Sequence, residues 1–450
     1  MNEPLGSLLP RLRGEIPGPA SRALARRLRA VESRNVTFVD EEWPLFWEEA
    51  GGANVRDADG NIFLDLTGAF GVALLGHAHP AVVAAVKEQA DRLLHGMGDV
   101  HPPAVKVAFL ERLQSRLPWP GARAVLAGSG SEAVEIALKT AEIHTGRSGV
   151  LAFQGGYHGL TLGSLATTHR LHFRHPFRRR VYGGVAFAPF PDLSRHGEDA
   201  AGRALEAVAG FLEAGAPNGD TIGAVLVEPV QGRAGVRVPA PGFMAELSRL
   251  ARERGVLVIA DEIFTGAGRC GGFLASEEVG LRADVVCMGK ALGGGLPLGV
   301  CAGPEEVMEA WPESEGEAIH TSTFLGHPLV CAAGLAVLGL LDEGRVAERA
   351  RLLGSELMDG LRSELSAVPG VREIRGLGLM VGIELGTDAD PDGAGMGAAV
   401  ARAALRSGVL LLPAGSRSQV VELTPPVCLT REQTAYGVEA TAASVADALT

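Results

Sequence analysis

Two apolar runs late in the middle of the chain set its pattern. VLVIAD ends at Asp261, and ADVVCMGK ends at Lys290, each closing a Val/Ile-rich stretch with a single ionisable residue. A continuous apolar run bounded by turn signals predicts a buried strand of a parallel sheet. Similar short runs, AVLAG, VLAF and AVLVEPV, precede them and alternate with helical patterns. One helix is expected from Ser131 and another from about Phe243 to Arg254. Strand–helix alternation over this length predicts an α/β fold with a mostly parallel sheet covered by helices on both faces.

The flanks read differently. RLRGEIPGPASRALARRLRA predicts an N-terminal helix; it has a transit peptide's arginines but also carries Glu15. ANVRDADGNIFLDLTG alternates around Asp59-Gly60 as a hairpin, and GHAHPAVVAAVKEQADRLL begins a long helix with Pro80 in its first turn. From Pro328 a long Ala/Leu helix, the strand GLMVGIEL, another helix and VLLLP predict a small α+β domain. DADPDGAGMG, residues 388–397, is expected as a surface loop. The expected organisation is an N-terminal segment 1–75 packed with the small domain, a large domain 76–327 and the C-terminal small domain 328–450.

In open α/β sheets ligands collect at the carboxyl ends of the strands, so Asp261 and Lys290 are expected in one crevice. Lys290 stands apart among the four lysines. Lys87 and Lys139 fall on amphipathic helices and Lys106 follows a Pro-Pro turn, whereas Lys290 follows a buried strand and precedes a glycine run. Desolvation there would favour nucleophilic use. The bland alternative is a lysine snorkelling from a strand end. Gly128-Ser129-Gly130-Ser131 lies between a strand and a helix, a turn whose N–H groups suit a phosphate. Tyr157, in FQGGYHG, offers a face to stack on a flat ring, and Asp261 would pair with a protonated ring nitrogen. Lysine, carboxylate, stacked ring and phosphate cup together describe pyridoxal 5'-phosphate.

Composition narrows the setting. A net charge of −12 argues against nucleic-acid or anionic-membrane partners, and 46% hydrophobic content over 450 residues supports more than one domain. The five scattered cysteines lack CxxC spacing; they predict free thiols in the cytoplasm and no metal site. No run is long enough to span a membrane.

The chain resembles the class III (ω-type) aminotransferases of PLP fold type I, from GNIFLDLTG and GHAHP to the late TPPV. GSGSEA, GGYHG, VEPVQG, DEIFTGAGR, MGKALGGGLPLG and STFLGHPL carry the resemblance most specifically. It implies that Lys290 forms a Schiff base with the cofactor and then shuttles a proton, while Asp261 holds the pyridine nitrogen. Gly130 and Ser131 would bind phosphate, Tyr157 and Ile263 would cover the two ring faces, and Glu228 would support the site. Thr323 would reach the phosphate of the neighbouring subunit in a homodimer. The implied activity moves an amino group from an amino acid, an ω-amine or a diamino donor to a 2-oxo acid. A racemase, epimerase or aminomutase of the same fold is the alternative.

The sequence departs from the family pattern where substrates are chosen. Phe264 replaces a common glutamine, Leu160 an arginine after YHG, Arg233 a glutamate after VEPVQG, and Glu422 the arginine before Pro-Pro. Arg233 and Glu422 change sign together, so an attractive pair remains open; Leu160 and Phe70 are expected as further substrate contacts. A dinucleotide-binding oxidoreductase would use the glycine turn at Gly128, but the GxGxxG fingerprint is incomplete. A non-catalytic interaction protein has no need of both Lys290 and Asp261.

Overall fold

The computed structural model describes residues 4–40, 42–193, 197–343, 345–387 and 390–449. They fall into two compact units, one of residues 1–79, 353–375 and 381–450, the other of 80–352 and 376–380. The first unit joins both chain ends. Its N-terminal part has a helix, Pro19–Val31, and the strands β1 (Trp47–Gly51), β2 (Asn54–Asp57) and β3 (Ile62–Asp65). β2 and β3 pair antiparallel, with Gly60 of the expected hairpin at φ 80°, a left-handed conformation that glycine takes without strain.

The second unit holds the large sheet. Its strands are β4 (Arg123–Ala127), β5 (Gly149–Phe153), β6 (Val185–Ala188), β7 (Ile222–Val227), β8 (Leu257–Asp261), β9 (Val285–Gly289) and β10 (Gly299–Gly303). Their order is β4-β10-β9-β8-β7-β5-β6. β10 runs antiparallel to both neighbours and the remaining pairs are parallel. Every residue of β5, β7, β8, β9 and β10 is buried, which is why β5, β7, β8 and β9 read as apolar runs. The core between sheet and helices includes Val134, Ile136, Leu226, Ile259 and Val285. Helix Gly130–Thr145 crosses this face. It starts where the Ser129 hydroxyl accepts from Glu132 N at 3.2 Å and stops at Gly146, φ 65°.

The remaining strands are β11 (Val371–Leu377), β12 (Met380–Leu385), β13 (Val409–Leu410), β14 (Leu412–Ala414) and β15 (Val420–Leu423). β13 pairs in parallel with β3, tying the C-terminal part of the first unit to the N-terminal segment. The helix at Pro328–Glu343 groups with the second unit, not with the C-terminal small domain expected from residue 328. Its near-continuous apolar surface explains the placement. It packs on helices Pro80–Arg92 and Ala104–Gln114, where a Cβ on Gly334 would stand 2.6 Å from the Phe109 ring. Of the expected loop 388–397, residues 388 and 389 lie outside the described residues, and a helix begins at Met396.

Candidate active site

Strand ends of the second unit converge on one cavity of about 210 Å³, lined by Gly130, Ser131, Tyr157, His158, Gly159, Glu228, Arg233, Asp261, Ile263, Phe264 and Lys290. β9 delivers Lys290, which takes φ 45° at the first position of a short 3₁₀ turn. A non-glycine residue held in the left-handed region costs of the order of 1–3 kcal/mol and persists where the surroundings over-determine it. Lys290 Nζ stands 3.4 Å from the centroid of the Phe264 ring, which meets the cation with its π face.

β8 delivers Asp261 as a fixed carboxylate. Its Oδ1 accepts from Ile263 N at 3.1 Å, and its Oδ2 is 2.8 Å from His158 Nδ1. Both His158 and Asp261 are buried. His158 belongs to the YHG triplet, and sequence reasoning alone missed it. The signal was its place beside Tyr157 at a strand exit. Its Nε2 is buried with no hydrogen-bond partner among the described residues.

Glu228 follows β7, accepting from Tyr157 N at 3.0 Å and Gly232 N at 3.1 Å. Burial pushes its carboxyl up to about 7; His158 opposes the rise, the Asp261 charge adds to it, and the two backbone donors oppose it again. Tyr157 is also raised by burial, against the pull of Arg233 and Arg170. The turn at Gly130 and Ser131 is tightly fitted. A Cβ on Gly130 would lie 2.8 Å from Ile263 Cδ1, and Ser131 Oγ accepts from Leu160 N at 3.1 Å.

The cavity thus gathers Gly130, Ser131, Tyr157, Glu228, Arg233, Asp261, Ile263 and Lys290 of the expected set. Leu160 is 49% exposed beside it and does not line it. Thr323 is exposed in a turn of the second unit. Phe70 and Glu422 belong to the first unit: Phe70 is exposed at φ 59°, and Glu422 is buried in β15 opposite Gly382 and Leu412. A cavity of about 640 Å³ in the first unit is larger, but it is lined by Arg22, Arg26, Arg29, Asp40 and Trp43 without a lysine. Volume does not locate the chemistry; the lysine–carboxylate convergence does.

Comparison with known proteins identifies the family. The family model for class III aminotransferases matches residues 37–445. The chain is a class III aminotransferase. It is 36% identical to a 4-aminobutyrate aminotransferase of Mycobacterium tuberculosis, over 97% of this chain and 98% of that one. It is 40% identical to the acetylornithine aminotransferase of Methanopyrus kandleri, over 77% and 82% of the two chains. An amine transaminase from an uncultivated Pseudomonas species, solved with PLP bound, superposes with a TM-score of 0.83 at 28% identity, covering 93% of this chain and 98% of that one.

The fold is therefore PLP fold type I, and the enzyme is a PLP-dependent transferase moving an amino group from a donor to a 2-oxo acid. The relatives lend no support to a racemase or aminomutase. The residues present fit the cofactor: an amine at a strand exit, a carboxylate fixed by two contacts, an aromatic face, and a helix N-terminus with a glycine where a side chain would collide.

Proposed function

We propose that the second unit's cavity is the cofactor pocket, with Lys290 and Asp261 as its working pair. The observation that carries this reading is their convergence with Tyr157, Ile263 and the Gly130–Ser131 turn on one cavity. When bound, PLP supplies an aldehyde that condenses with amines and a protonated ring that accepts electrons. Lys290 Nζ would hold the cofactor between turnovers and, when freed, would serve as the base that moves the proton from the substrate carbon. Asp261 keeps the ring nitrogen protonated by its charge, and His158 keeps Asp261 in place. Tyr157 and Ile263 bracket the ring. The N–H groups at Gly130 and Ser131 take the phosphate, favoured by the dipole of the 16-residue helix behind them.

The working enzyme is a homodimer in this reading, with Thr323 reaching the partner's phosphate. Leu94, Met97, Val100, Ile319 and Phe324 expose large apolar side chains beside Thr323. The His95 ring meets Phe324 at 5.4 Å, and Thr321 Oγ1 donates to Asp99 at 2.9 Å, so the two segments form one patch. An apolar patch of this kind suits a second copy of the chain. Five free thiols suit the cytoplasm.

For substrates, Arg233, which lines the cavity, takes the carboxylate of the 2-oxo acid. With leucine at position 160, donors with a distal amine, diamino acids and diamines, rank above dicarboxylates. The two relatives' names, 4-aminobutyrate and acetylornithine, denote compounds whose transferred amine is well separated from a carboxylate. A screen of amino donors against pyruvate and 2-oxoglutarate tests this, with kcat/KM for each acceptor compared between wild type and Arg233→Ala. A preference for distal amines and a large loss in Arg233→Ala are expected. Turnover of dicarboxylic donors above all others, or an unchanged Arg233→Ala, would remove the substrate reading.

A further inference from the structure

We propose that Arg170 positions Arg233 for carboxylate binding by fixing the loop that presents it. This rests on Arg233 being the carboxylate-binding group of the cavity. Arg233 sits in a tight turn after β7. Gln231 and Arg237 exchange backbone hydrogen bonds at 3.0 and 2.9 Å, and Gly235 N and Val236 N both donate to Gly232 O, at 2.9 and 3.0 Å. Val236 takes φ 50° to close this turn.

Arg170 reaches the turn from the other side. His169 N donates to Gly156 O at 2.9 Å, which sets Arg170 beside the loop bearing Tyr157. Arg170 Nη2 donates to the Arg233 carbonyl oxygen at 2.9 Å. One half-buried guanidinium therefore bridges the loops that present Tyr157 and Arg233 to the cavity.

Within the cavity Glu228 is engaged by two backbone N–H groups and Asp261 by His158 and Ile263 N. Arg233 lines the same cavity, and a guanidinium fork matches carboxylate geometry. Burial, then the Arg233 charge, lowers the Arg170 pKa. Arg170 acts as a positioning residue, through its hydrogen bond to the Arg233 carbonyl.

The test uses the holoenzyme with one amino donor and two acceptors, pyruvate and acetaldehyde, which is pyruvate without its carboxylate. Arg170→Met should lower the ratio of kcat/KM for pyruvate to that for acetaldehyde by about tenfold or more, mainly through the KM for pyruvate. Arg170→Lys should restore part of it. An equal fall for both acceptors would reduce Arg170 to scaffolding and overturn the proposal. An unchanged ratio in Arg170→Met, with a lowered ratio in Arg233→Met, would also overturn it while leaving Arg233 as the carboxylate group. An unchanged ratio in Arg233→Met would overturn the underlying reading as well.

Discussion

Asp261 and Glu228 are both buried carboxyls of one cavity, yet their surroundings give them different work. Asp261 is gripped by His158 at one oxygen and by Ile263 N at the other, so its charge has a fixed direction. Asp261→Asn keeps the shape and removes the charge that holds a proton on the cofactor ring. Proton abstraction should slow by about a hundredfold or more in single-turnover measurements, with cofactor retention less affected. Near-normal turnover would sink that assignment. Glu228, pushed up from 4.5 to about 7, keeps its proton in the folded enzyme over a range where the unfolded chain has released it. Folding takes up a proton there, so this residue's contribution to stability falls as pH rises from 4.5 to 7, with no cost below that window and the full cost above it. Glu228→Gln should remove the slope. Thermal unfolding of variant and wild type at pH 5 and pH 7 should show the difference shifting in the variant's favour at the higher pH; identical pH profiles would contradict it.

Among the elements, the phosphate turn is the one whose fit is most exposed to a small change. Gly159 has φ 120°, and a Cβ there would stand 2.0 Å from Ser131 Oγ. Gly159→Ala should displace the Ser131 turn and weaken PLP binding by about tenfold or more, read by fluorescence titration of the cofactor-stripped protein. Unchanged affinity would show that this turn does not hold the phosphate. The strand ends bearing Asp261 and Lys290 were legible because burial on both sheet faces leaves an unmistakable apolar run before each ionisable residue. β6 and β10 were not. VAFA is four residues, and GVCAG carries little apolar signal between two glycines. β10 also follows β9 through the loop between Gly289 and Gly299, too short for the crossover that a parallel neighbour needs, so it turns back antiparallel. His158 was visible as a letter but not as a site, because its meaning depends on β5 and β8 lying close enough for a 2.8 Å contact.

At the level of the whole molecule, motif order told more than domain boundaries. That both chain ends share one unit is explained by β13 pairing with β3, whereas helix Pro328–Glu343 joined the second unit because apolar residues cover most of its circumference. The exposed apolar patch around Thr323 carries the dimer expectation. If the proposed dimer forms through this patch, Phe324→Asp should leave the protein monomeric in sedimentation at micromolar concentration and weaken cofactor retention, as the proposed role of Thr323 requires. A fully active wild-type monomer would refute that account. The central claim is that this aminotransferase works through Lys290, and the chain's four lysines make it directly testable. Reduction of the PLP-loaded enzyme with borohydride, followed by digestion and mass spectrometry, should place the pyridoxyl group on Lys290. Stoichiometric label on Lys87, Lys106 or Lys139 instead would contradict it.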